Sequence, residues 1–173
     1  DRFAIYFVPA GYVFAIWLLI YLGLAAFMIY QALPSQRNND LIRKISPAYW
    51  VGSLANTVWI FLWHYEVFPL TVIAMLAILV SLLYIFKQLS NPILELTTRQ
   101  RLLVKLPFSI YLGWISVASI AGVASAINVI FPNLSNNIQV IGVTVMLVVV
   151  LVLTSLVLYK RRDLIFSLVV IWA

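Results

Sequence analysis

Gly11-Tyr12-Val13-Phe14-Ala15-Ile16-Trp17-Leu18-Leu19-Ile20-Tyr21-Leu22-Gly23-Leu24-Ala25-Ala26-Phe27-Met28-Ile29-Tyr30-Gln31-Ala32 carries no charged side chain. That stretch is as long as a helix must be to cross a bilayer core of ~30 Å. The pattern returns at about Pro47–Tyr65, Pro69–Phe86, Leu106–Ile130 and Ile138–Tyr159. A last run, Leu164–Ala173, rises only ~15 Å as a helix and cannot span alone. Lipid offers no partner to an open backbone, and no run alternates as a strand does. The expected fold is therefore all-α: a polytopic transmembrane helix bundle of five full spans plus a sixth that is truncated at the C-terminus. The chain opens at Asp1 rather than at a methionine, so it reads as a piece of a longer protein.

Polar turns separate the runs. Leu33-Pro34-Ser35-Gln36-Arg37-Asn38-Asn39-Asp40 follows the first, Ser90-Asn91-Pro92 the third and Phe131-Pro132-Asn133 the fourth. Pro47 and Pro69 are expected in first helical turns. Pro107 either does the same or kinks a helix that began earlier. No internal repeat of the inverted-transporter kind is visible.

Only 9% of residues are charged, against 65% hydrophobic, and the charges lie in the gaps. If each run crosses once, one face collects Arg37, Arg43, Lys44, Lys87, Arg99, Arg101, Lys105, Lys160, Arg161 and Arg162. The other face keeps only Arg2. The positive-inside rule places loops 33–46, 87–105 and 160–163 in the cytoplasm, and the protein in a membrane read here as the bacterial cytoplasmic membrane. The net charge of +6 thus reflects topology, not nucleic-acid binding. The basic face attracts anionic headgroups in a general way.

There is no cysteine, which excludes disulfides and thiolate chemistry, and the single histidine, His64, excludes bis-histidine haem ligation within the chain. Asp1, Asp40, Glu66, Glu95 and Asp163 all fall at or beyond the expected membrane edges. No nucleophile–base pair or carboxylate dyad can be assembled, and no ionisable group suggests an ion path. The expectation is a protein that is not an enzyme, with no metal site and no obligatory cofactor.

Three stretches stand out. Phe7-Val8-Pro9-Ala10-Gly11-Tyr12-Val13-Phe14-Ala15-Ile16-Trp17 joins a turn to an aromatic helix entrance, either a membrane-interface belt or the rim of a pocket. Asn56-Thr57-Val58-Trp59-Ile60-Phe61-Leu62-Trp63 places an amide inside a membrane helix, where such groups usually join helices. Trp59 and Trp63 share a face. Tyr111-Leu112-Gly113-Trp114-Ile115-Ser116-Val117-Ala118-Ser119 opens a small-residue helix, suited to close packing or to leaving room for a flat ligand. Leu82–Lys87 and Val157–Arg161 fit a proposed cholesterol pattern that is common at any basic helix end.

Taken in order, the Pro-x-Gly-aromatic-x-Phe…Trp, Asn-x-x-Trp and Trp-x-Ser-x-Ala-Ser segments resemble the translocator-protein family of tryptophan-rich sensory proteins. The likeness is to its longer bacterial members, over roughly Phe7 to Asn128. It implies a translocator-like bundle over 1–130 whose first helix would precede Asp1, with additional transmembrane helices over 131–173. It further implies an aromatic pocket for a porphyrin or other tetrapyrrole, or a similar flat apolar small molecule. The expected ligand-binding residues are Pro9, Gly11, Phe14, Trp17, Asn56, Trp59, Trp63, Tyr111 and Trp114. The chain departs from the family pattern at Ala10 and Gly122, and one residue fewer separates Gly11 from Trp17. Besides the bilayer, a homodimer or a larger membrane complex fits these surfaces. The rival reading is an accessory or structural transmembrane subunit of such a complex, with or without pigment.

Overall fold

Residues 11–91, 93–131, 135–161 and 163–173 are described by the computed structural model, and every regular element among them is helical. A 3-10 turn, Gly11–Ala15, runs into α1 (Ile16–Ala32). A second short turn at Pro34–Gln36 leads to α2 (Asp40–His64), followed by α3 (Phe68–Leu89). Then come α4 (Thr98–Gln100), a π-helical turn (Arg101–Lys105), α5 (Leu106–Ile130), α6 (Asn136–Arg161) and α7 (Leu164–Trp172).

Local chemistry sets the boundaries. Asn39 caps α2: its Oδ1 accepts from Leu41 N at 3.0 Å and Ile42 N at 3.4 Å. The helix therefore starts at Asp40, and Pro47 lies inside it rather than in its first turn. The cap and the acid beside it outweigh the proline signal, because the cap satisfies N–H groups that otherwise have no partner. At the other end Val67 N donates to Leu62 O and Glu66 N to Trp63 O, a Schellman closure with Glu66 at φ 58° in the position glycine usually takes. Pro69 sits in the first turn of α3, as expected. Thr97 and Gln100 form a reciprocal capping box. The following π turn ends where Leu106 N–H donates to Arg101 O, immediately before Pro107, so the proline falls within a longer helical segment.

Among the described residues, four segments are long and apolar enough to cross a membrane: Gly11–Ala32, Pro69–Leu89, Thr98–Ile127 and Asn137–Lys160. The expected span in α2 is a helix of 25 residues but is not among them, since Asn56, Ser53, Tyr49 and its three tryptophans dilute its apolar content. At 9 residues, α7 is too short to cross.

The helices meet where side chains are small. Gly23 faces Pro107, and a Cβ on Gly23 would lie 3.0 Å from the proline Cβ. Gly52 faces Ser81 in the same way, which joins α2 to α3. Gly113 lets α7 approach until a Cβ there would be 3.0 Å from Phe166 O. Helix α5 thus touches α1, α3 and α7 together, whereas the apolar part of α6 is only 6% buried. Asp163 differs from the other described acids in being enclosed by protein. It lies at the basic end but is 3% exposed, capping α7 through Phe166 N and accepting a 2.7 Å hydrogen bond from Ser109 Oγ. The same bond brings the α6–α7 junction to the start of α5. A cleft lined by Asn38, Thr97 and Arg99 joins the α1–α2 and α3–α5 connections, so the basic connections share one end of the bundle.

The glycine contacts predict opposite outcomes for two similar substitutions. Gly113→Ala forces α7 off α5 and should cost about 1–2 kcal/mol. Gly142→Ala, where an added Cβ meets nothing within 4 Å, should be neutral or stabilising by up to ~1 kcal/mol. Thermal unfolding of the two variants in detergent measures the difference.

Candidate functional site

Five aromatic residues converge from three helices. Trp17 of α1 stacks on Tyr21 at 5.4 Å between ring centres and on Trp59 of α2 at 5.8 Å. From α5, Tyr111 and Trp114 meet Trp17 edge-on at 6.0 and 6.1 Å. The helical repeat explains the grouping. Trp17 and Tyr21 are four residues apart, so they share a face of α1, and the antiparallel passage of α5 sets Tyr111 and Trp114 beside them. Each such pair contributes ~0.5–1.5 kcal/mol beyond its buried area.

Below this cluster, toward the basic end, lies a cavity of about 280 Å³. Tyr21, Tyr49, Gly52, Asn56, Ser81 and Tyr111 are among its walls. No acid, lysine, arginine or histidine lines it. Its long sides are α1 and α2. Their backbones scarcely approach each other, since α1 packs on α5 and α2 on α3. The two are bridged by the Trp17–Trp59 stack and a long 3.4 Å hydrogen bond from Asn56 Nδ2 to Tyr21 Oη.

Polar atoms in this region are left over. Asn56 Oδ1, Trp59 Nε1 and Trp114 Nε1 are closed off from solvent and have no hydrogen-bond partner among the described residues. Trp114 is only 2% exposed. A buried polar atom without a partner costs ~1–3 kcal/mol, so three around one aromatic cluster form an uncommon concentration. Together they offer two N–H donors and one carbonyl acceptor beside flat ring faces. That set can stack and orient a planar molecule. It lacks the carboxylate or imidazole that acid–base chemistry would use. Among the described residues no group of three His, Asp or Glu side chains gathers that could hold a metal.

The residues expected from the sequence divide as follows. Asn56 and Tyr111 line the cavity. Trp17, Trp59 and Trp114 form the aromatic cluster above it without being part of its wall. Phe14 touches Trp114 edge-on at 5.6 Å but is exposed, and Trp63 leans on Trp59 at 5.7 Å and is 44% exposed. Gly11 is exposed, with nothing near an added Cβ. Pro9 lies outside the described residues. Tyr21, Tyr49, Gly52, Ser81 and Phe108 were missed. For two of them the signal was periodic: Tyr21 follows Trp17 by one helical turn, and Gly52 precedes Asn56 by one.

Stability should separate the two polar residues. Trp114→Ala removes a fully packed indole and is expected to cost about 3–5 kcal/mol. Asn56→Leu loses one long hydrogen bond but also removes an unpartnered carbonyl, so a loss above ~0.6 kcal/mol is not expected. Denaturant unfolding in mixed micelles, followed by tryptophan emission, tests both.

A family model described as TSPO-like protein matches residues 1–173, extending past the sequence motifs through α6 and α7. No curated protein and no solved structure matches the chain.

Proposed function

We propose, for a chain that belongs to the TSPO-like protein family over residues 1–173, the role of an integral membrane binding or sensory protein that holds a flat apolar ligand against its tryptophan cluster. The carrying observation is the coincidence of Trp17, Trp59 and Trp114 with three unpartnered polar atoms beside one cavity. A planar conjugated molecule with acceptor groups at its edge, such as a porphyrin, would stack on the rings and take up the indole N–H groups. At 280 Å³ the cavity is at the small end for an organic ligand. A macrocycle needs α1 and α2 to part, and their side-chain bridges allow this without disturbing tight backbone packing. Binding of this kind uses burial and orientation rather than ligation, which is why the reading is a receptor and not an enzyme.

Titrating a porphyrin into the purified chain should quench tryptophan emission with saturation in the micromolar range. Trp17→Ala should weaken binding about 2–10-fold, as the loss of one stacked pair implies. Trp59→Phe, which keeps a ring but deletes an unpartnered donor, should weaken it less. Absence of saturable quenching would remove this reading. The accessory-subunit reading, which draws on the thinly covered α6, would then be favoured by recovery of the chain in a stable multisubunit particle.

We further propose that α2 also crosses, making five spans with α7 as a partial sixth, and that the basic end is cytoplasmic. The cysteine-free sequence allows a direct test. Arg37→Cys and His64→Cys, at opposite ends of α2, should react with an impermeant maleimide from opposite sides of sealed vesicles. Labelling of both from one side would overturn the topology.

A further inference from the structure

A second hollow, of about 380 Å³, lies at the basic end between the α1–α2 connection and the first turns of α2. Gln36, Arg37, Asn39, Arg43 and Trp50 contribute to its wall. Several neutral polar groups there are already engaged. Asn39 Oδ1 accepts from the helix start, Asn39 Nδ2 donates to Gln36 Oε1 at 2.7 Å, and Ser46 Oγ donates to Ile42 O at 2.7 Å. The Arg37 and Arg43 guanidiniums are exposed, and neither has a hydrogen bond or ion pair among the described residues. Asp40, the acid nearest in sequence, is not part of the wall. The hollow therefore presents two exposed guanidiniums, with no acid among the described residues of its wall.

The helix continues the pattern below it. Arg43, Pro47, Trp50, Leu54, Val58 and Phe61 recur at spacings of three and four and occupy one stripe of α2. Trp50, Leu54, Val58 and Phe61 are all exposed on that stripe. With α2 crossing as proposed above, the stripe presents cation, interfacial indole and apolar surface in order along the membrane normal. That sequence matches the anionic head, glycerol level and acyl chain of a phospholipid. We propose that this hollow is a binding site for the phosphate headgroup of an anionic phospholipid, whose acyl chain lies along the exposed stripe of α2. Guanidinium suits the role because its planar donors meet phosphate oxygens two at a time. The two cations should also disfavour lipids that carry an ammonium group.

The test uses the full chain in neutral detergent, with lipid retention read by native mass spectrometry. Phosphatidylglycerol should be retained in preference to phosphatidylcholine of matched chain length. Arg37→Ala/Arg43→Ala should lower the affinity for phosphatidylglycerol roughly 25-fold, about fivefold for each charge near an anionic headgroup. Arg99→Ala, on the neighbouring cleft, should leave it unchanged. Arg37→Lys/Arg43→Lys, which keeps charge but not the fork, should give an intermediate loss, and unchanged circular dichroism would exclude unfolding as the cause. Millimolar inorganic phosphate should fail to displace the lipid. Equal retention of the two lipids, an equal loss in Arg99→Ala, or full displacement by inorganic phosphate would each overturn the proposal.

Discussion

Helices in a bilayer gain little by hiding apolar surface from one another, because lipid tails are as apolar as leucine. What holds this bundle is close approach. Gly23 against Pro107, Gly52 against Ser81 and Gly113 against the α7 backbone are the positions where a missing side chain brings two helices near enough for dispersion contacts to accumulate. Helix α5 carries two of these three contacts and so organises the rest. It fixes α1 in the antiparallel register that sets Trp17 beside Tyr111 and Trp114. It also supplies Ser109, which fixes the start of α7.

The same economy explains why the aromatic cluster can hold polar atoms in reserve. Ring contacts, stacked between Trp17 and Trp59 at 5.8 Å and edge-on between Trp17 and Trp114 at 6.1 Å, offset the cost of an unpartnered indole N–H. Under the function proposed above, that local cost is what leaves the donors and the acceptor ready for a ligand. On the opposite face of α2 the lipid-exposed stripe under Arg43 has a different chemistry, apolar and capped by charge. One helix thus presents two unlike surfaces: Gly52, Ser53 and Asn56 line the cavity, while Trp50, Leu54, Val58 and Phe61 lie exposed on the other side.

The spans were legible because lipid demands long uncharged runs, and α1, α3, α5 and α6 show them. The shared end of the basic connections was legible from the charge asymmetry alone. The start of α2 was not, since the Pro47 signal masked the stronger one at Asn39. Burial of Asp163 was hidden as well: sequence places an acid at a helix end, but only packing against Ser109 encloses it. Among the expected site residues, Trp17, Trp59, Tyr111 and Trp114 came together, because α1 and α2 meet there through side chains and α1 packs against α5. Phe14, Gly11 and Trp63 sit at the outer margin, where the chain enters and leaves the bundle. The cavity walls escaped because Tyr49, Ser81 and Phe108 are drawn from three helices and share no periodic mark.

The docking of α7 bears on how the chain matures. Trp172 reaches back to Val13, placing its indole N–H 3.5 Å from that carbonyl across a separation of 159 residues, and its ring meets Tyr12 edge-on. A ribosome delivers α1 long before α7 exists. Until α7 arrives, the Gly113 groove of α5 and the entrance turn of α1 stand open to lipid or to an insertion factor. Docking of α7 is therefore a later event than placement of α1 and α5, and it closes that groove through the packing at Gly113, the Ser109–Asp163 bond and the Trp172 contacts. Quality control acting on unfinished copies would have that groove to read.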